Sequence, residues 1–202
     1  DVRCLALDLS QHAERQKAME AWPEIDVLVN NAGDIPAGSL DDISDEAWRA
    51  GWDLKVFGYV DFARFYYAKF KTKKKGVIIN IIGSAGERPS AGDIAGAMGN
   101  VSLMGMSLAL GAESPKFGVR VVGVNPGPIM TDRVKKLGAK RAEQLWGDAS
   151  RHEELYTHYP FGRPGTVDEV SPMVVFLASD HASYISGTIV TINGGMSARS
   201  TS

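Results

Sequence analysis

The chain has 202 residues, the length of one α/β domain, and its formal net charge of −2 lacks the basic excess of a nucleic-acid-binding domain. Hydrophobic residues at 44% and charged residues at 23% are the proportions of a globular chain and exclude disorder. Cys4 is the one cysteine, which excludes an intramolecular disulfide and points to a reducing, cytoplasmic setting. No apolar run is read as a membrane span, and the opening residues DVRCLALDLS carry no signal-peptide pattern.

Taken in chain order, short apolar runs alternate with amphipathic stretches, the pattern of βαβ units around a parallel sheet buried on both faces. Strands are expected at Val2–Leu7, Asp26–Asn30, Gly76–Ile82, Val119–Val124 and Thr188–Ile192, the central ones dense in β-branched residues. Helices are expected at Gln11–Trp22, Asp45–Lys69, Gly99–Glu113 and Val167–Ala178. Ser44 is a plausible N-cap for the second, and Thr166 with Glu169 forms a capping box for the last. The fold class expected is a three-layer α/β/α sandwich around a doubly wound, Rossmann-like parallel sheet, as a single domain over 1–202.

Two segments stand apart. Residues 131–165 form a long polar excursion with Trp146, Tyr156, Tyr159 and Phe161, expected to be a lid whose aromatics line an apolar substrate pocket. Lys69, Lys71, Lys73, Lys74 and Lys75 follow the long helix and read as cations satisfying its carboxyl end.

Four motifs stand in order at strand ends: Asp8-Leu9, Asn30-Asn31-Ala32-Gly33, Ile82-Gly83-Ser84 and Asn125-Pro126-Gly127-Pro128-Ile129-Met130-Thr131. With the ending FGRPGTVDEVSPMVVFLASDHASYISGTIVTINGG, they make the chain resemble the short-chain dehydrogenase/reductase family over nearly its whole length. In open parallel sheets ligands bind beyond the carboxyl ends of the strands, where all four motifs lie. Gly33 and Gly127 are expected to let backbone approach a flat ligand. The resemblance implies NAD or NADP as cofactor, with Asp8 and Leu9 at the adenine and Asn31, Ala32 and Gly33 along the adenosine ribose. It places Ile82 behind the nicotinamide, and Pro126, Gly127, Ile129 and Thr131 around the nicotinamide and its carboxamide.

The sequence departs from the family twice. The family's glycine-rich T-G-x-x-x-G-x-G turn, which holds the pyrophosphate at a helix N-terminus, does not occur. Its first βαβ portion, roughly 60 residues at about 30 per unit, is missing from the pattern. The chain is therefore expected to be part of a longer protein, or to have its sheet completed by a partner. Otherwise Val2–Leu7 lacks a neighbour and the Asp26–Asn30 strand is a bare edge.

The second departure concerns catalysis. The family uses Asn, Ser and a Tyr-x-x-x-Lys pair, in which the lysine depresses the tyrosine and the serine polarises the carbonyl. Ser84 is in place, but the tyrosine position is Gly96 and the lysine position is Asn100. The family's Asn position, seven residues after Trp48, is Lys55. Lysine and asparagine have thus exchanged places, and the exchange would keep one positive charge at the site. Asp93, Tyr59, Tyr156, Tyr159 and His158 are open candidates for the proton donor, and no metal site is expected, because His152 and His158 have no partner at ligand spacing.

The function expected is NAD(P)-dependent oxidation or reduction of a carbonyl/alcohol pair on a small organic substrate, with Ser84, Lys55 and Asn100 as the catalytic set. A lyase or isomerase on the same scaffold, or a silent binding module, are the alternatives. Arg133 is a candidate for a substrate carboxylate. No nucleic-acid or membrane partner is expected. The small apolar helix Gly99–Glu113 points to a homodimer or homotetramer, which the resemblance also implies.

Overall fold

The structure is a computed structural model that describes residues 1–199, apart from the side chain of Arg133. Four parallel strands, β1 (Val27–Asn30), β2 (Gly76–Ile81), β3 (Val119–Pro126) and β4 (Thr188–Ile192), lie in the spatial order β1-β2-β3-β4. Each crossover is helical. Helix α1 (His12–Ala21) precedes β1; α2 (Asp45–Trp52), a π turn (Asp53–Phe57) and α3 (Gly58–Lys73) form one continuous body between β1 and β2. Helix α4 (Ile94–Glu113) links β2 to β3, and α5 (Asp132–Trp146) and α6 (Ser171–Ala178) precede β4.

The two sides of the sheet bury different helices, as expected of a three-layer Rossmann-like sandwich. On one face Ile78, Val119 and Val121 pack with Ala63, Tyr66 and Phe70 of α3 and Met19 of α1. On the other, Ile79, Val122 and Val124 meet Leu177 of α6 and Ala182. A polar chain crosses the buried middle: Asn30 donates to Asn80 at 2.9 Å, Asn80 to Ser107 on α4 at 2.9 Å, and Ser107 to the Leu103 carbonyl at 2.8 Å. It ties the carboxyl end of β1 to β2 and α4, the three elements that carry the site.

Val2–Leu7 does not form the expected strand. It runs as extended chain, exposed along nearly its length, because the outer edge of β1 has no strand beside it to supply hydrogen bonds. Helix α4 begins at Ile94 rather than Gly99. The run Gly96-Ala97-Met98-Gly99 reads as a loop by propensity, but close packing keeps it helical: a Cβ at Gly99 would lie 3.0 Å from Ile35 and 3.2 Å from Val56.

The last helix is divided. A 3₁₀ turn, Val167–Glu169, carries the Thr166–Glu169 capping box, and α6 follows with Pro172 in its first turn. The sequence reading also missed that Ile94–Phe117 has the length and mean hydropathy, 1.4, of a membrane-crossing helix. Its buried side is core: Leu103, Ser107 and Gly111 face the sheet and its neighbours. Its outer side leaves Met98, Val101 and Leu108 exposed along one stripe.

Candidate active site

The carboxyl ends of β2 and β3 open into a cleft of about 340 Å³ lined by Gly83, Ser84, Ala85, Asn100, Pro126, Gly127 and Pro128. Ser84 begins a 3₁₀ turn directly after β2 and is half-buried, and its hydroxyl makes no hydrogen bond among the described residues. Gly83 before it has φ +124°, a conformation that side chains rarely adopt, and a Cβ there would come within 3.1 Å of Asn100 Nδ2. This turn delivers the serine hydroxyl beside the asparagine amide.

Lys55 reaches the back of the same wall. It sits in the π turn, a helical irregularity that recurs at functional sites. Its ammonium donates to the Ile82 carbonyl at 2.5 Å and to Asn100 Oδ1 at 2.8 Å. Burial pulls Lys55 down to about 8, and the carboxylate of Asp93 works against that fall. Gly33, in the turn after β1, makes room for it: a Cβ there would lie 2.8 Å from Lys55 Cδ. The bare Cα of Gly33 therefore makes room for the lysine stem, and that of Gly127 for the backbone and Cβ of Asn193.

Asp93 is the N-cap of α4, and its carboxylate folds over Gly96, where a Cβ would lie 2.6 Å from Oδ1. Burial raises its pKa and the charge of Lys55 lowers it. Asp93, Gly96 and Asn100 share one side of α4. Tyr59 is no proton donor: its hydroxyl is bonded to the Ile81 carbonyl at 2.7 Å, and burial pushes its pKa up. His158 is exposed and packs edge-on against Tyr159, outside this cleft.

The sequence-predicted cofactor residues fall into neighbouring groups along the same edge. Leu9, Asn31 and Ala32 line an apolar cleft of about 300 Å³ beside β1, with Asn31 and Gly33 exposed. Asp8 lies at the surface before α1, its carboxylate held low by the Ser10 hydroxyl and amide. Ile82 is buried behind Ser84, and its amide donates to Val124, which locks the β2 and β3 ends together. Gly127, Pro128 and Ile129 line a third recess of about 200 Å³ with Tyr159, Phe161 and Asn193. The Thr131 hydroxyl caps α5, accepting from Val134 N at 3.3 Å.

The segment 131–165 departs and returns at one clasp: Met130 N donates to the Gly165 carbonyl at 2.8 Å, and Gly165 N to that of Pro128 at 2.9 Å. Only two of its four aromatics reach a cleft. Trp146 lies under the Arg151 guanidinium, and Tyr156 is buried against Gly138, because α5 folds back on the 3₁₀ turn Ala149–Tyr156. The side chain of Arg133 is outside the described residues. The lysine run behaves as a helix end: Lys73 pairs with Asp26 at 2.6 Å, and Lys71 covers the rings of Tyr67 and Phe117.

One feature escaped sequence reasoning. Glu87 accepts from Asn125 Nδ2 at 2.7 Å and from Thr191, and its neighbour Arg88 donates to the carbonyls of Met196 and Arg199. Together they pin the Ser84 turn to the end of β4. Asp93, one of the candidates named from the sequence, stands over Gly96, the tyrosine position of the family pattern.

Polar groups gathered at the carboxyl edge of a parallel α/β sheet, with Ser84 lining one cleft and Lys55 bonded to Asn100 in its wall, define a Rossmann-like fold with a candidate ligand site. Comparison with known proteins agrees. Residues 2–197 match the family described as Enoyl-(Acyl carrier protein) reductase. The chain is 32% identical to the oxidoreductase YvrD of Bacillus subtilis, over 96% of its own length and 77% of that protein. It is also 32% identical to the 3-oxoacyl-[acyl-carrier-protein] reductase FabG of Chlamydia muridarum, over 91% and 70%. L-Sorbose reductase from Gluconobacter frateurii, solved with NADPH and L-sorbose, superposes with a TM-score of 0.85 at 26% identity, over 96% of this chain and 76% of that one. The chain belongs to the short-chain dehydrogenase/reductase family and is an NAD(P)-dependent oxidoreductase of that type acting on a small-molecule substrate.

Proposed function

We propose that the chain reduces a ketone or aldehyde with NADPH, using Ser84, Lys55 and Asn100 in place of the family's tyrosine-based set. The observation that carries this reading is the Lys55–Asn100 hydrogen bond of 2.8 Å in the wall of the Ser84 cleft. It retains a cation at the site after the lysine and asparagine positions are exchanged. The free Ser84 hydroxyl fits a carbonyl oxygen, and the exposed Asn31 and Gly33 with half-buried Ala32 and the recess at Gly127 and Ile129 fit the two ends of a nicotinamide nucleoside. When bound, the nicotinamide supplies the hydride.

The residues of the chain supply the rest. Ser84 donates to the carbonyl oxygen and orients it. Lys55, near its neutral point at physiological pH, gives the proton that turns the oxyanion into a hydroxyl. Asn100 holds the ammonium in place through Oδ1. Residues 131–165, hinged at the Pro128–Gly165 clasp, close over the recess with Tyr159 and Phe161. The relatives that act on 3-oxoacyl thioesters and on acetoacetyl-CoA make β-ketoacyl thioesters the first substrates to try. NADPH oxidation with a panel of β-keto thioesters and small ketones tests the reading; no turnover on any of them, with NADPH bound, would refute it.

The exposed stripe Met98, Val101 and Leu108 on α4 supports pairing of two copies across this helix. Cys4, exposed and unbridged, fits a reducing compartment.

A further inference from the structure

We propose that Arg88 sets the substrate class by holding a carboxylate on the carbonyl compound that enters the Ser84 cleft. This deepens the reductase reading above and rests on it. Arg88 lines that cleft together with Ser84, Asn100 and Met196, and among the described residues no carboxylate side chain lines it. The formal charge on the cleft lining is therefore positive.

The local sequence puts the arginine there. Glu87 N donates to the Ser84 carbonyl at 3.0 Å and closes the 3₁₀ turn Ser84–Gly86. Pro89 disfavours helical backbone at the residue before it, so the turn ends instead of running on as a helix, and Arg88 follows at the cleft. The Glu87 carboxylate is taken by Asn125 and Thr191 and makes no ion pair with its neighbour.

One nitrogen of the guanidinium serves as a tether. Nη1 donates to the carbonyl of Met196 at 3.2 Å and to that of Arg199 at 3.3 Å. Nε and Nη2 have no hydrogen-bond partner among the described residues, and the side chain is exposed. The edge left over carries two parallel N–H donors, which match the two oxygens of a carboxylate. Tethering also means that less side-chain freedom is lost when a ligand arrives. The neighbouring cations are committed: Arg163 forks onto Glu169 at 2.8 and 2.9 Å, and Lys55 is bonded to Ile82 and Asn100. A single two-donor edge suits a carboxylate better than a phosphate, which is held by several backbone amides at once. The substrate is thus an oxo acid: Ser84 takes its carbonyl oxygen and Arg88 its carboxylate.

The test compares pyruvate, acetoacetate and levulinate, which space the two groups by successive methylenes, with their methyl esters. The readouts are NADPH-dependent reduction and calorimetric binding, in wild type, Arg88→Met and Arg88→Lys. In wild type at least one acid should exceed its ester about 10-fold or more in kcat/KM and in affinity. Arg88→Met should bring that ratio close to one, whatever it does to the ester rate, and Arg88→Lys should keep part of it. Circular dichroism and the melting temperature establish that each variant is folded. Acids and esters handled alike by wild type, or a wild-type ratio in folded Arg88→Met, would overturn the proposal. So would a preference for dihydroxyacetone phosphate over every acid, which would make the site one for phosphate. Acid binding that depends on Arg88 without turnover of any carbonyl would refute the reductase reading and leave the carboxylate site standing. Turnover without any acid preference would do the reverse.

Discussion

The Lys55 ammonium and the Asn100 carboxamide, 45 residues apart, are joined by a hydrogen bond of 2.8 Å behind the Ser84 cleft. In the family pattern these positions carry the opposite residues. Exchanging both should therefore disturb the site less than changing either one. Lys55→Asn and Asn100→Lys are each expected to lose about 100-fold in kcat/KM, the size of one proton-donor contribution. The double exchange should recover to within about 10-fold of wild type, read as the coupling in a double-mutant cycle.

Gly33 tests how Lys55 is placed. A methyl group at this position would meet Lys55 Cδ at 2.8 Å, and the flexible stem can move aside. Gly33→Ala should lower kcat/KM by about 10-fold or more while the protein stays folded, with a melting temperature within a few degrees of wild type. A large loss of stability with activity retained would show that the glycine serves the backbone alone.

The pH dependence has a definite sign. Lys55 binds its proton less tightly in the folded chain, near 8, than in the unfolded chain, near 10.5. Between those values the unfolded state carries more protons, so this residue makes stability rise with pH across that window. Lys55→Met should abolish that rise in denaturant melts taken from pH 7.5 to 10.5. Over the same range, reduction should decline as pH passes 8, because the donor loses its proton.

Glu87 anchors the buried Asn125 amide and Thr191 at the edge of the cleft. Burial raises its pKa, but the hydrogen bonds from Ser197, Thr191 and Asn125 outweigh that and hold it low. Glu87→Ala leaves the fully buried Asn125 amide with only the weakly accepting Met104 sulfur and should cost about 1–3 kcal/mol by denaturant unfolding. Glu87→Gln keeps an acceptor oxygen and should cost less.

The outer face of α4 predicts association. Val101→Glu places a charge within the Met98–Leu108 stripe, and sedimentation should show a shift to a smaller species without loss of helix content.

The strands β1 to β4 and the helical body that opens at Asp45, expected to Lys69 and found to run to Lys73, were legible in the sequence because apolar β-branched runs and the Ser44 cap mark them locally. The motifs at the strand ends were legible for the same reason, since they follow each strand directly. Contacts over long sequence separations were not. Whether Val2–Leu7 pairs depends on a neighbouring strand, and whether Gly96–Gly99 is helical depends on how closely Ile35 and Val56 approach it. The juxtaposition of Lys55 with Asn100 was anticipated from family positions; the seat of Asp93 over Gly96 required the backbone path of the loop before α4. The aromatics of 131–165 misled, because composition does not show that α5 folds back and buries Tyr156.

The most direct measurement is the pH profile of NADPH-dependent reduction for wild type and Lys55→Met, with a β-keto thioester or small ketone that turns over. Wild type should show a rate that falls above pH 8, and Lys55→Met should lose that limb along with about 100-fold of its rate while still binding NADPH. A Lys55→Met enzyme with the wild-type rate and profile would show that the proton comes from elsewhere, and the lysine-centred mechanism would be wrong.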